Sequence, residues 1–106
     1  MEKIMIFIAG SKNLVKEREC INLIANDINS TYNGNEAMII IRSYKHFNDQ
    51  QSEYNIFIRE HADIVIFIID GHLGQYTEEE FLIATDEMNK TNRPEVMVFL
   101  HEFNEL

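Results

Sequence analysis

The chain has 106 residues, enough to bury one hydrophobic core and not two, so it is expected to form a single domain over 1–106. Apolar residues make up 45% of it and charged residues 25%, the ordinary balance of a globular protein. Acidic groups outnumber basic ones 18 to 9, and the resulting formal charge of -9 repels phosphate backbones and anionic lipid. Nucleic acid and membrane surfaces are therefore excluded as generic partners, while a small anionic ligand held by one local arginine is not.

The single Cys20 has no second cysteine to pair with, which suits a reducing, cytoplasmic compartment. It falls inside a helical pattern and reads as a buried thiol. The opening segment MEKIMIFIAG is apolar but too short to span a membrane, and it lacks a secretory cleavage pattern. It reads instead as a strand, with Ile4 to Ala9 a continuous apolar run ending at Gly10-Ser11. A strand apolar on both faces is what the centre of a parallel sheet requires.

Asn13 is placed to cap the next segment, where Leu14, Ile21, Ile24, Ala25 and Ile28 recur at helical spacing. The cluster from Asn29 through Thr31 to Asn35 breaks that pattern. Ala37 to Ile41 is a second apolar strand, ending at Arg42. A polar, irregular stretch from Ser43 to Gln51, with His46 and Asn48 in it, leads to a short helix whose face is Tyr54, Phe57, Ile58 and His61. Asp63 to Ile69 is the strongest strand signal in the chain, and Asp70-Gly71 ends it. After a loop from Gly71 to Tyr76, a helix is expected from Thr77, with Phe81, Ala84, Thr85 and Met88 as its buried stripe. Asn92-Arg93-Pro94 is a turn, and Val96 to Leu100 is a fourth strand.

Alternation of this kind, β-α-β-α-β-α-β, predicts a flavodoxin-like α/β three-layer sandwich with a short parallel sheet ordered 2-1-3-4. Ligands of such sheets bind outside the carboxyl ends of the strands, where the strand order reverses. The segments expected to meet there are Gly10 to Asn13, Arg42 to Tyr44, and Asp70 to Thr77. Four strands are few for this architecture, so either the chain is the N-terminal part of a longer protein or another chain covers an edge.

The richest candidate segment runs from Asp70 through Gly71, His72 and Gly74 to Thr77-Glu78-Glu79-Glu80. At 100° per residue Glu79 points away from the buried stripe, while Glu78 and Glu80 flank it. Thr77-x-x-Glu80 has the form of a capping box, in which the glutamate returns to the N-cap amide. From the motif alone, capping is favoured over catalysis. Asp70 reads equally as a plain Asp-Gly turn and as a ligand contact at a strand's carboxyl end. Arg18 interrupts an apolar stripe, so it is expected to be partly buried against an acid or a phosphate. Arg42 ends the second strand at the same edge. His61 is expected to pack on its helix's apolar face, and His72 has no evident partner. The histidines show no metal spacing, no cysteine-histidine cluster supports zinc, and the glycines fall short of a phosphate-loop or dinucleotide fingerprint. No cofactor is expected.

Several of these segments together resemble a known family. Ile6-Phe7-Ile8-Ala9-Gly10-Ser11 followed by Leu14-Val15-Lys16-Glu17-Arg18 resembles the start of bacterial DUF4062 domains, which open with an apolar strand, a small polar turn and a Leu-x-x-x-Arg helix. Ile58-Arg59-Glu60-His61-Ala62-Asp63 and Gly74-x-x-Thr77-x-x-Glu80-Phe81-x-x-Ala84 continue the likeness, which covers most of the chain. The same outline is shared by nucleoside 2-deoxyribosyltransferases and, more distantly, by TIR domains. The transferases open their third helix with Gly-Thr-x-x-Glu-x-x-x-Ala, and Thr77, Glu80 and Ala84 match that spacing. Tyr76 stands where the transferases have glycine, Ser11 is not followed by their proline, and the TIR tryptophan-cysteine motif is missing. The resemblance is thus to DUF4062 domains first.

The resemblance implies that Glu80 occupies the position of a catalytic glutamate. It implies N-glycosidic bond cleavage in a nucleotide, NAD or a relative, in bacterial signalling or defence. Glu80 and Asp70 would be catalytic, and Gly10, Ser11, Arg18, Arg42, Gly71 and Thr77 would bind substrate. Two alternatives remain: a non-enzymatic signalling or oligomerisation module, and a nucleoside deoxyribosyltransferase. The implied partners are a small nucleotide and either a second copy or fused effector and sensor domains, since many such domains stand at the front of larger proteins.

Overall fold

A computed structural model describes residues 2–32, 37–43, 51–71 and 74–101. The elements run β1 (Glu2–Gly10), α1 (Val15–Tyr32), β2 (Ala37–Arg42), α2 (Gln51–Glu60), β3 (Ile64–Asp70), α3 (Gln75–Thr91) and β4 (Glu95–His101). The four strands form one sheet ordered β2-β1-β3-β4, and every neighbouring pair is parallel. This is the flavodoxin-like α/β arrangement expected from the alternation of strands and helices. The segments around Asn33 to Asn35, Tyr44, His46 and Asn48, and His72 with Leu73 lie outside the described residues.

Each face of the sheet carries its own core, because successive strand residues point to opposite sides. On one face Phe7, Ala9, Val65 and Phe67 pack against Tyr54, Phe57 and Ile58 of α2 and Ala84 of α3. Tyr54 and Phe57 each place a ring centroid 5.9 Å from that of Phe7. On the other face Ile8 and Ile68 pack with Leu14, and Ile21 of α1 leans on them. That second face is covered by one helix where the first has two.

Several local expectations are corrected. Helix α1 runs to Tyr32, through Asn29, Ser30 and Thr31, which had read as breakers. Their polar groups find partners compatible with a helix: the Thr31 hydroxyl donates to the Asp27 carbonyl, and the Asn29 side chain bonds to Ile39 on β2. Asn13 is not the cap of α1, since the Arg18 amide donates to the Leu14 carbonyl and makes Leu14 the cap residue. Cys20 is exposed, not buried, because its part of α1 faces a groove that α1 does not fill. His61 lies one residue past α2 and is exposed, with its ring 5.9 Å from that of Phe57.

Asp63, the expected first residue of the third strand, stands just before β3 at the amino end of the sheet, and the strand itself begins one residue later. Its carboxylate accepts a 2.8 Å bond from the Met5 amide and an ion pair from Arg93. Its carbonyl accepts from the Glu95 amide at 2.9 Å. One residue therefore ties the starts of β3 and β4 to β1. Helix α3 ends at Asn92, whose φ of 64° and amide bond to the Met88 carbonyl form a left-handed cap.

Candidate functional site at the carboxyl ends of β1 and β3

Gly10 ends β1 with φ 108°, a conformation that L side chains rarely adopt. A Cβ there would lie 2.0 Å from the Ile68 carbonyl oxygen, so the residue must be glycine on steric grounds as well. The close approach of the two strands fixes the next residue. The Ser11 amide donates to the Ile68 carbonyl at 2.8 Å, and the Ser11 hydroxyl accepts from the Asp70 amide at 2.9 Å. The Asn13 side-chain amide donates to the Asp70 carboxylate at 2.6 Å. Gly10, Ser11, Asn13 and Asp70 therefore form one bonded cluster across the ends of β1 and β3. Gly71 follows with φ 79° and open space where a Cβ would stand.

Arg18 is buried, at 8% exposure. Its guanidinium donates to the carbonyls of Ile8 at 3.3 Å, Gly10 at 3.1 Å and Ser11 at 3.4 Å. The parallel ladder explains this. The Ser11 amide bonds toward β3, so by alternation the carbonyls of Ile8 and Gly10 face β2. But β2 has already ended, its last residue Arg42 standing opposite Phe7. Arg18 takes the place of the missing strand and satisfies acceptors that burial would otherwise leave costly. The partner expected for Arg18 was an acid or a phosphate, and the bonds just described run to main-chain carbonyls.

Arg42 stands three residues back along the sheet from Gly10, roughly 10 Å at strand spacing. It is half-buried, and its guanidinium donates to the Ile41 carbonyl at 3.0 Å. The structure thus joins Gly10, Ser11, Asp70 and Arg18 tightly, and leaves Arg42 lower on the neighbouring strand.

Helix α3 begins earlier than its sequence signal. Its cap residue is Gly74, in extended conformation and with no side-chain cap bond, and the Glu78 amide donates to the Gly74 carbonyl. Thr77 is consequently inside the first turn, half-buried, and Glu80 is in the second turn. The Thr77-x-x-Glu80 capping box is not formed. Glu78 and Glu79 are exposed, and Glu79 accepts from the Asn55 side chain at 3.4 Å. Glu80 is buried at 7% exposure, on the side of α3 that carries Ala84 inward. Its carboxylate is thus held largely out of water within the helix and not as a helix cap.

The bond from Asn13 to Asp70, the ties Asp63 makes to Met5 and Arg93, and the bonds of Asn29 to Ile39 were not read from the sequence. The only signal for Asn13 was its position just after a Gly-Ser strand end. Among the described residues no group of three or more metal-ligating side chains occurs, and no helix is long and apolar enough to cross a membrane. Compared with known proteins, the chain matches no family model, no curated protein and no solved structure.

Proposed function

We propose that the chain cleaves the N-glycosidic bond of a nucleotide, NAD or a relative, with Glu80 as the catalytic carboxylate. The observation that carries this reading is the burial of Glu80 in the second turn of α3 without a capping role. The resemblance to DUF4062 domains and deoxyribosyltransferases, which puts a catalytic glutamate at this position, supports it. So does the general rule that parallel sheets bind ligands at their carboxyl ends.

In this reading the base departs with the electrons of the glycosidic bond. Glu80 stabilises the oxocarbenium-like charge left on the sugar or attacks its anomeric carbon, and water then completes hydrolysis. Asp70, oriented by Ser11 and Asn13, holds the sugar hydroxyls. Gly10, Ser11, Gly71 and Thr77 line the approach. Phosphate falls to Arg42 or Arg18. Arg42 is better placed to turn outward, since Arg18 spreads its guanidinium over three carbonyls.

Incubating concentrated protein with NAD, and separately with nucleosides, and separating the products by chromatography tests the proposal. Free base is the expected product, and free base only when an acceptor base is added marks a transferase. No base from any of these substrates overturns the enzymatic reading. A non-enzymatic assembly module is then the second reading, favoured by the exposed apolar strand at one edge of the sheet.

A further inference from the structure

Helix α1 covers its face of the sheet only in part, and a groove of about 470 Å³ is left between the helix and the strands. Its floor includes Ile6 of β1, Ile41 of β2 and Ile66 of β3. Ile24 and Ile28 stand on the α1 wall and Phe99 of β4 on the opposite one. Apart from Glu17 and Cys20, every described residue lining the groove is apolar. The volume falls within the roughly 300–1,000 Å³ usual for small-molecule sites, and apolar walls with very few polar groups are the usual chemistry of such sites. Water in the groove hydrates aliphatic surface, and an apolar occupant would release it.

Glu17 stands in the first turn of α1 and is half-buried. The helix dipole accounts for an acid at that position but not for the state of its carboxylate. Its Oε2 is shut off from water and has no hydrogen-bond partner among the described residues. A buried acceptor without a donor carries a desolvation cost that a donor would remove. None of the residues lining the groove is basic, so the chain itself supplies no cation there. Glu17 and Ile28 mark the two ends of the α1 wall, roughly 16 Å apart at helical rise.

We infer that the groove binds a small aliphatic molecule whose one polar end donates a hydrogen bond, an amine or an alcohol. That end sits at Glu17, and the chain runs along α1 toward Ile28. At about 30 Å³ for a group the size of a water, the volume holds an aliphatic chain of roughly ten to fifteen carbons. The same magnitude rules against a docked helix. A helix about 10 Å across fills roughly 420 Å³ in each turn, so the groove would seat barely one turn. A peptide that short does not hold a helix in water. An aliphatic acid is disfavoured as well, because its head would set a second carboxylate against Glu17. Glu80 lies on α3, which packs on the other face of the sheet, so this inference stands independently of the nucleotide reading.

Titration calorimetry of the full chain with decylamine, decanol and decanoate, each kept below the concentration at which it self-associates, tests this. Decylamine and decanol are expected to bind, and decanoate at least about tenfold more weakly, because like charges then meet at Glu17. Decanol is neutral, so its binding cannot arise from the chain's overall charge of -9. Shortening the amine should weaken binding roughly fourfold for each methylene removed, as loss of apolar burial requires. Glu17→Gln, which offers a donor as well as an acceptor, should erase the preference and bring decanoate within about threefold of decanol. Cys20 is the single thiol, is exposed and lines the groove, so its reaction with N-ethylmaleimide should slow in proportion to occupancy. Failure of all three compounds to bind overturns the proposal. So does equal affinity for the three, a preference that survives Glu17→Gln, or saturation that leaves the reaction of Cys20 unchanged.

Discussion

Gly10 and Ile68 approach so closely that a single added carbon on Gly10 would sit 2.0 Å from the Ile68 carbonyl oxygen. That contact sets the turn from which Ser11 reaches Asp70, so the geometry of the candidate site depends on a glycine. Gly10→Ala therefore meets two penalties, a positive φ of 108° and a collision with main chain that cannot rotate away. A loss of about 3 kcal/mol or more is expected, above the 1–3 kcal/mol usual for backbone strain alone. Gly71→Ala meets only the first penalty, since nothing lies within 4 Å of its Cβ position, and should cost about 1 kcal/mol. Urea denaturation of the two variants side by side checks the ranking, and equal losses would show that the Ile68 contact is not what matters.

Arg18 substitutes for a strand that ends too soon. Arg18→Ala strips bonds from three buried or half-buried carbonyls and should destabilise the domain by about 2–4 kcal/mol, given that charged hydrogen bonds contribute about 1.5–3 kcal/mol. Arg18→Lys should not restore it, because a compact ammonium cannot reach acceptors spread along Ile8, Gly10 and Ser11 at once. Thermal melting decides between this and a ligand role. A variant that melts like the wild type but binds nucleotide poorly would place Arg18 in the substrate site instead.

The parts of this fold that were legible in the sequence are those in which both faces of an element are covered. β1 and β3 read as continuous apolar runs because two cores press on them, and order 2-1-3-4 follows from their central place. β4 reads the same way for a different reason. Val96 to Leu100 is apolar throughout, yet most of it is exposed, since apolar patterning reports a need for cover and not what provides it. Cys20, Ile24 and Ile28 were misjudged alike: helical spacing puts them toward the sheet, where they meet the open groove. The site was legible at Gly10, Ser11 and Asp70, whose meeting follows from topology alone. The bonding of Arg18 was not, because it depends on β2 stopping opposite Phe7. The start of α3 was misread because Thr-x-x-Glu is a local signal, and Gly74 initiates the helix with no side-chain signal at all.

Asn29 guards the β2 edge through two bonds to Ile39. Asn29→Ala should cost about 1–2 kcal/mol, the usual contribution of two neutral hydrogen bonds at a part-buried site. It should also expose the Ile39 amide and carbonyl, opening the β2 edge to pairing with another chain. Higher oligomers or aggregates are then expected in light scattering. If scattering is unchanged, the carboxamide contributes stability only and the β2 edge is protected by something else.

Glu80 separates the readings of function. With the capping box absent, Glu80→Gln leaves the side chain's shape and one of its oxygens in place, so the melting temperature should stay within a few degrees of the wild type. The amide can neither stabilise an oxocarbenium charge nor attack an anomeric carbon, so base release from NAD or nucleosides should fall by at least about 100-fold. Glu79→Gln is the internal control. It lies one residue away, is exposed, and bonds only weakly to Asn55 at 3.4 Å, so it should change neither melting nor turnover. Loss of activity with retained stability in Glu80→Gln alone assigns the chemistry to that carboxylate. Full turnover in Glu80→Gln moves it to Asp70, where Asp70→Asn, still able to accept from Asn13, becomes the variant that should abolish it.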